Sequence, residues 1–235
     1  MAKRFLVTAG NTRERMDTVR DWGNIFTGNT GFAIARSLAA VGEVELLSSK
    51  PSHLAELATL SAAHRIEGAG FVSHTDLREL LAERMRSRRY DAVFMTAAIA
   101  DYKPAGAYRV VSREKSDDGR ERWVVEDVQA PKIGSTHEQV AFLGERTEKL
   151  VDLFRGQWGY RGLLVKFKLE VGRTKDQLIA IGQASRAASG ADYLVANTLE
   201  MVGGPSAGAY LIGEQSVEWV ARENLPNRLR QLVEP

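Results

Sequence analysis

Two glycine-rich turns near the start of the chain contain the residue types that bind phosphate. The apolar, β-branched residues 5–9 end at Gly10, and a second turn, residues 27–31, leads directly into an amphipathic segment that begins at Phe32. Glycine allows backbone N–H groups to approach an anion closely, and the N-terminus of a helix carries a positive partial charge. The pattern therefore predicts a phosphate-binding site.

Neither turn has a standard nucleotide-binding fingerprint. Asn11, Thr12 and Arg13 follow Gly10, so there is no G-x-G-x-x-G sequence, and no Gly-Lys-Ser/Thr ends either turn as it would in a Walker loop. Ordinary turn and helix-start chemistry is the alternative explanation of these glycines.

The composition is that of an ordinary globular protein. The 235 residues include 44% hydrophobic and 26% charged residues, with a formal net charge of +2. We expect one domain covering residues 1–235, and the nearly balanced charge predicts no nucleic-acid partner and no membrane partner.

The chain contains no cysteine, which excludes disulfides, thiolate metal ligands and a cysteine nucleophile within it. Its four histidines are scattered without ligand spacing, so we predict no protein-built metal site. No signal-peptide core follows Met1, and no apolar segment approaches the roughly 18 residues of a membrane span. These observations predict a cytoplasmic protein.

Strand and helix patterns alternate along most of the chain. They predict an α/β fold, with a Rossmann-like, mainly parallel sheet and helices on both faces. The predicted strands are residues 5–9, 44–47, 71–72, 91–95, 163–167 and 193–195. The predicted helices are residues 31–41, 52–64, 75–88 with Thr75 as N-cap, 174–189 and 224–233, and residues 207–220 are predicted to form an antiparallel edge pair.

One segment interrupts this alternation. Residues 105–130 place Asp118 and Gly119 between two apolar runs, a pattern typical of a β-hairpin. We expect this hairpin to project from the domain as a flap, residues 105–135. Its contacts cannot be predicted from the pattern.

Residues that could bind a ligand or take part in catalysis follow several of the predicted strands. Gly10, residues 96–98, Asp101, Phe167 and Asn197 all lie at or just after a predicted strand end. Ligands of parallel sheets bind at the carboxyl ends of the strands, so these residues are expected to form one site.

Four separated segments together resemble the phosphopantothenate–cysteine ligase family, also called phosphopantothenoylcysteine synthetase, in its stand-alone form. They are residues 7–14, residues 19–31, residues 97–102, and residues 167–170 with 195–197. Their order and spacing match those of the family, apart from the inserted hairpin.

The resemblance implies a ligase of coenzyme A biosynthesis. CTP or ATP would convert the carboxylate of 4′-phosphopantothenate into an acyl nucleotidylate, and the amine of cysteine would then form the amide. Such a reaction depends mainly on positioning and charge stabilisation. The resemblance also implies Mg²⁺ on the phosphates, with few protein ligands, and a homodimer.

Several matching positions would act on the phosphates and the reacting carboxylate. The residues implied to hold the triphosphate are Gly10, Thr27, Gly28 and Gly31. Asn24 would contact the carboxylate and the acyl intermediate. Arg20 would reach across a dimer interface to the substrate phosphate, and Lys132 would cover the phosphates from a mobile flap.

The remaining matches concern the other parts of the two substrates. Ala97, Ala98 and Asp101 correspond to the strand end that holds pantothenate. Phe167 and Asn197 correspond to contacts with the nucleotide base, an aromatic wall and a hydrogen-bonding amide.

Departures from the family pattern leave other functions open. Asn11 replaces a second glycine, Phe26 replaces a frequent serine, and the lysine-rich flap pattern of the family is missing after Ile133, so a non-catalytic nucleotide-binding relative is one alternative. A short-chain NAD(P)-dependent oxidoreductase is another, because Ser48, Ser49 and Lys50 follow the second predicted strand where a 2′-phosphate would lie. No tyrosine has a lysine four residues later, so that enzyme's acid/base pair is missing from the sequence.

Overall fold

The chain is built around one large sheet with two small sheets beside it. The computed structural model describes residues 2–59, 65–204 and 207–234. The strands are β1 (Lys3–Ala9), β2 (Arg13–Arg15), β3 (Asp21–Gly23), β4 (Gly42–Ser48), β5 (Ile66–Gly70), β6 (Ala92–Met95), β7 (Tyr102–Lys115), β8 (Glu121–Asp127), β9 (Val140–Arg146), β10 (Leu163–Glu170), β11 (Tyr193–Thr198), β12 (Gly208–Ile212) and β13 (Val217–Ala221). The helices are α1 (Asn29–Leu38), α2 (Pro51–Thr59), α3 (His74–Ser87), α4 (Leu150–Leu153), α5 (Lys175–Ser189) and α6 (Leu225–Gln231).

The large sheet has eight strands in the order β13-β12-β11-β10-β6-β1-β4-β5. Six neighbouring strands of this sheet run parallel, namely β11, β10, β6, β1, β4 and β5. At the other edge, β12 pairs antiparallel with β11, and β13 pairs antiparallel with β12. The predicted α/β class with a mainly parallel sheet is confirmed, and so is the antiparallel edge pair.

The two faces of the sheet bury separate apolar clusters. Phe5 and Val7 of β1 pack on the face covered by α1 and α6, whereas Leu6 packs with Leu77 and Leu81 of α3 on the other face. This division follows from the two-residue period of a strand, which sends successive side chains to opposite faces. A short apolar strand can therefore support helices on both of its sides.

The predicted hairpin is present and belongs to a three-stranded sheet with the order β8-β7-β9. β7 and β8 pair antiparallel across a turn in which Gly119 has a φ of +82°. The third strand, β9, was not predicted, because its sequence V-A-F-L-G-E-R lacks a clear alternation of apolar and polar residues. A further short hairpin, β2 with β3, was also missed.

Two local predictions are wrong. The strand predicted at residues 71–72 is β5, which ends at Gly70 and which pairs with β4. The cap of α3 is Ser73 rather than Thr75: the Asp76 amide donates to Ser73 Oγ at 3.1 Å, and the Ser73 amide donates to Asp76 Oδ2 at 2.9 Å.

The predicted helix over 52–64 is described as α2 up to Thr59, and residues 60–64 lie outside the described part of the chain.

Candidate active site

The two glycine turns meet at the carboxyl end of β1. Gly10 and Gly28 both have left-handed backbones, with φ values of +90° and +80°. A Cβ atom on Gly28 would lie 2.1 Å from the Gly10 amide nitrogen, and one on Gly31 would lie 2.2 Å from Thr96 Oγ1. The N-terminus of α1 therefore packs directly against the Gly10 backbone and the Thr96 side chain, and glycine at both positions leaves room for this contact.

The beginning of α1 is arranged to attract an anion. Its N-cap, Gly28, has no side chain to satisfy the first backbone amides, and the first turn contains no acidic residue. The first N–H groups of a helix have no partner within the helix, and the helix dipole is positive at this end. The combination is suited to a phosphate group.

A cavity of about 240 Å³, here named the first cavity, opens beside this helix end. Eight of the predicted site residues line it: Gly10, Thr27, Gly28, Gly31, Ala97, Ala98, Phe167 and Asn197. Residues far from the glycine turns in the sequence form an apolar wall of the first cavity: Val195, Met201, Val202, Ala209 and Leu225. Apart from Val195, which lies in a segment that resembles the family, these residues were not predicted, because β12, α6 and the loop after β11 carry no site motif.

A second cavity of about 300 Å³ adjoins the first. Asn24 and Asp101 line it, and Ala97, Ala98 and Phe167 line both cavities. The structure thus brings ten of the twelve predicted residues to one continuous hollow at the carboxyl ends of the parallel strands. Phe26, which the sequence marked only as a departure, also borders both cavities.

Asn11 determines the position of the Asn24 loop. Its side-chain Nδ2 donates to the Asn24 carbonyl at 2.7 Å, and its backbone amide donates to Ser49 Oγ at 2.9 Å. Asn24 Nδ2 in turn is 3.3 Å from the Ala98 carbonyl oxygen, to which it donates. The buried Asn11 side chain therefore supports Asn24, which a glycine at position 11 would not do.

Hydrogen bonds also join the loops that follow β1 and β6. The Ala98 amide donates to the Gly10 carbonyl at 2.9 Å, and the Thr12 amide donates to the Ala98 carbonyl at 3.1 Å. Thr12 Oγ1 then accepts a hydrogen bond from the Ala100 amide at 2.9 Å. These bonds fix the wall shared by the two cavities relative to the glycine turns.

Arg20 and Lys132 line neither cavity. The Arg20 guanidinium lies 2.5 Å from Asp17 Oδ2 and donates to the Ile133 carbonyl at 2.8 Å. Asp17 Oδ2 also accepts a hydrogen bond from the Ile133 amide at 3.2 Å, and Arg20 holds the pKa of Asp17 well below its usual range. Within one chain, Arg20 is thus bound next to the exposed Lys132 rather than to the hollow.

A histidine that the sequence did not single out supports the start of α1. His53 is buried and stacks on Phe32 with ring centroids 4.6 Å apart. Its Nδ1 lies 3.0 Å from Ser48 Oγ, and its Nε2 lies 3.3 Å from Asn29 Oδ1. Burial lowers the pKa of His53, which favours the neutral imidazole beside the first residue of the helix.

None of the helices in the described part of the chain has the length and apolar character needed to cross a membrane. In the same residues, no group of three or more histidine, aspartate or glutamate side chains is placed to hold a metal ion.

Comparison with known proteins identifies related sequences over nearly the whole chain. Residues 1–219 match the family described as the DNA/pantothenate metabolism flavoprotein C-terminal domain. The coenzyme A biosynthesis bifunctional protein CoaBC of Thermococcus kodakarensis is 29% identical over 222 residues, which cover 94% of this chain and 47% of that protein. The chain spans less than half the length of the curated relatives it matches.

Solved structures share the fold. The DNA/pantothenate metabolism flavoprotein from Streptococcus pneumoniae superimposes with a TM-score of 0.78 at 24% identity, covering 99% of this chain and 98% of that chain. A complex of Cab2 mutant H337A with phosphopantothenate-cysteine gives a TM-score of 0.67 at 14% identity, covering 98% of this chain and 85% of that chain.

Proposed function

The chain belongs to the family of DNA/pantothenate metabolism flavoprotein C-terminal domains, and on this basis we propose that it is a ligase joining 4′-phosphopantothenate to cysteine. The observation that supports the proposal most directly is the pair of adjoining cavities. One has the glycine turns and the start of α1, the other has Asn24, and Ala97, Ala98 and Phe167 border both. A phosphate donor in one cavity and an organic acid in the other can therefore meet where the two cavities join.

In the first step, a carboxylate oxygen of the acid attacks the α-phosphorus of a nucleoside triphosphate, and pyrophosphate leaves. The amides around Gly10, Gly28 and Gly31 would hold the triphosphate, because glycine backbones and a helix N-terminus stabilise negative charge. Thr27 lies in the same turn and lines the same cavity.

In the second step, the amine of cysteine attacks the acyl carbon, the nucleoside monophosphate leaves and the amine loses its proton. Asn24 Nδ2 would donate to the negative charge that develops on the acyl oxygen, since an amide donates without titrating. Asp101, Ala97 and Ala98 would border the pantothenate portion.

The base of the nucleotide would lie in the first cavity between Phe167 and the apolar wall, with Asn197 as its hydrogen-bonding partner. Pyrophosphate release from CTP and from ATP, with 4′-phosphopantothenate and with or without cysteine, tests the proposal. We expect release with at least one nucleotide, and amide product only when cysteine is present. Nucleotide binding without any release would instead indicate a non-catalytic relative.

We further propose that Mg²⁺ enters with the nucleotide, bound mainly by phosphate oxygens, because Mg²⁺ usually takes few protein ligands at such sites. The chelator EDTA should abolish pyrophosphate release, and titration with excess Mg²⁺ should restore it. The short-chain oxidoreductase alternative is not favoured by the family match.

We also propose a homodimer formed through the three-stranded sheet. This sheet exposes large apolar side chains, including Val111 at 51%, Leu143 at 50% and Trp123 at 43% of their surface. Exposed apolar side chains gathered on one small sheet are typical of protein interfaces. A second copy at this sheet could bring its Arg20 to the hollow, from which the chain's own Arg20 is absent.

Sedimentation analysis of the Val111→Glu variant tests the dimer. We expect dissociation to monomers, because a charge would be buried at the interface. Val217→Glu is the matched control, since Val217 is 41% exposed on β13 at the far edge of the large sheet. A monomeric native chain, or a dimer insensitive to Val111→Glu but broken by Val217→Glu, would contradict the proposal.

A further inference from the structure

A buried lysine lies at the second cavity. Lys166 occupies β10 opposite Met95 of β6, within the otherwise apolar stretch L-L-V-K-F, and only 9% of it is exposed. An ammonium group removed from water is costly unless it is paired and hydrogen-bonded. The position of this charge therefore requires a physical explanation.

Among the described residues, Ser185 alone accepts hydrogen bonds from the Lys166 ammonium. Its Nζ donates to the Ser185 carbonyl at 3.1 Å and to Ser185 Oγ at 3.0 Å. An ammonium has three donors, so one N–H is left over from these two bonds. No ion pair formed by the described residues includes Lys166.

The surrounding charges do not neutralise Lys166. Asp152 attracts it, whereas Lys149 and Lys168 repel it, and burial lowers the pKa of Lys166. Lys168 is itself paired with Glu170, with 3.1 Å between its Nζ and Glu170 Oε1. A negatively charged ligand near Lys166 would be attracted by Lys166 and Lys149 and repelled by Asp152.

Lys166 and Ser185 both line the second cavity, together with Asn24 and Asp101. Building on the proposed function, we infer that Lys166 and Ser185 form an anion subsite of this cavity, which holds a carboxylate or phosphate group of a substrate. The free N–H of the ammonium would donate to an oxygen of that group, forming a charge-assisted hydrogen bond. Ser185 would orient the ammonium, since both of its oxygens already accept from Nζ.

Two substrate groups have the required chemistry. One is the carboxylate of cysteine, and the other is the phosphate of 4′-phosphopantothenate. The carboxylate of the acid is not a candidate, because it reacts beside Asn24. The two sources can be separated by comparing each substrate with an analogue that lacks the anion, namely cysteamine and pantothenate.

The experiment measures kcat/KM for Lys166→Met and for Lys166→Gln with each of these four compounds. We expect about a tenfold or greater loss for the compound that supplies the anion, as is typical of losing a hydrogen bond to a charged group, and no comparable loss for its analogue. A loss confined to cysteine identifies the carboxylate, and a loss confined to 4′-phosphopantothenate identifies the phosphate. KM for the nucleotide should stay unchanged.

The controls separate the subsite from folding and from the proposed function. Lys175→Met removes an exposed lysine from the start of α5, outside both cavities, and should leave all four values unchanged. Lys166→Met and Lys166→Gln differ in shape, so equal losses of kcat/KM in both exclude a packing effect of one replacement. Thermal unfolding of each variant verifies that it is folded. If the native enzyme is active and both Lys166 variants keep its kcat/KM values for all four compounds, the proposed subsite is wrong. If the native chain releases no pyrophosphate, the proposed function itself is wrong.

Discussion

At the scale of single residues, the site depends on side chains that support other side chains. Asn11 departs from the family pattern, yet it carries the hydrogen bond that places the Asn24 carbonyl. The sequence marked this departure as a reason to question catalysis. The geometry instead gives Asn11 a positioning task, which explains how an asparagine is accommodated there.

Replacing Asn24 by aspartate tests the proposed amide donor. We expect Asn24→Asp to lower kcat about 100-fold or more, because a carboxylate repels the substrate carboxylate and cannot donate to an oxyanion. Amide formation measured at saturating nucleotide gives the value. Asn224→Asp, at the start of α6 and with no side-chain cap bond, is the control, and near-native turnover of Asn24→Asp would contradict the assigned role.

The Gly28→Ala variant tests the close contact between α1 and the Gly10 loop. A left-handed backbone costs an alanine roughly 1–2 kcal/mol, and the added Cβ would also collide with Gly10. We expect a lower urea midpoint and loss of nucleotide binding. Gly119→Ala is a matched control, because Gly119 has a φ of +82° but, apart from its chain neighbours, no described residue has an atom within 4 Å of its Cβ position. It should show the backbone cost alone and bind nucleotide normally.

His53 should make the stability of the fold depend on pH. Burial lowers its pKa in the folded state below the ordinary 6.5, so the unfolded chain binds a proton first as the pH falls. Stability is therefore complete above about pH 6.5 and declines as the pH falls toward the folded-state pKa. Urea unfolding at pH 7.5 and 5.5 should show a smaller difference for His53→Gln than for the native chain or for His137→Gln.

At the scale of elements, capping decides where α3 begins. Ser73 and Asp76 exchange two hydrogen bonds there, and the neighbouring Thr75 takes no part in the cap. Ser73→Ala should therefore lower the free energy of unfolding by about 1 kcal/mol, whereas Thr75→Ala, an exposed change inside the first turn, should have little effect. Equal losses in the two variants, measured by urea denaturation, would show that the cap has been misassigned.

Elements with a strong period in the sequence could be predicted, and those fixed by packing could not. β1, β6 and α5 were predicted nearly to their ends. β5 was predicted at residues 71–72 instead of Ile66–Gly70, because Gly68 and Gly70 give no strand signal. An added Cβ on Gly68 would lie 2.9 Å from a methyl carbon of Leu54 in α2. Glycine thus allows close packing between two elements, and a local pattern does not contain such a contact.

The same limit applies to the site. Gly10, Asp101 and Asn197 follow predicted strand ends, so the parallel-sheet rule predicts their convergence. Asn24 follows no predicted strand, and only the family resemblance indicated it. Met201 and Leu225 reach the first cavity only because the last strands and α6 fold back over it. Lys166 was not predicted as a site residue, because it lies within a sequence that is typical of a buried strand.

At the scale of the whole molecule, the large sheet connects every apolar cluster. The clusters on its two faces share strands such as β1 and β6, so neither can unfold without exposing the other. We therefore expect a single cooperative unfolding transition, in agreement with the one domain proposed from the sequence. Coincident urea transitions by circular dichroism and tryptophan fluorescence would support this, and two separated transitions would divide the chain into domains.

The junction of the two cavities has a consequence for inhibition. Ala97 and Ala98 border both cavities and have small side chains, so a single compound with a nucleotide arm and an acidic arm could occupy both cavities at once. Tethering the arms makes the binding of the second one intramolecular, and such a bisubstrate inhibitor should bind far more tightly than either arm alone. An enlarged side chain at position 97 would confer resistance to it by narrowing the passage.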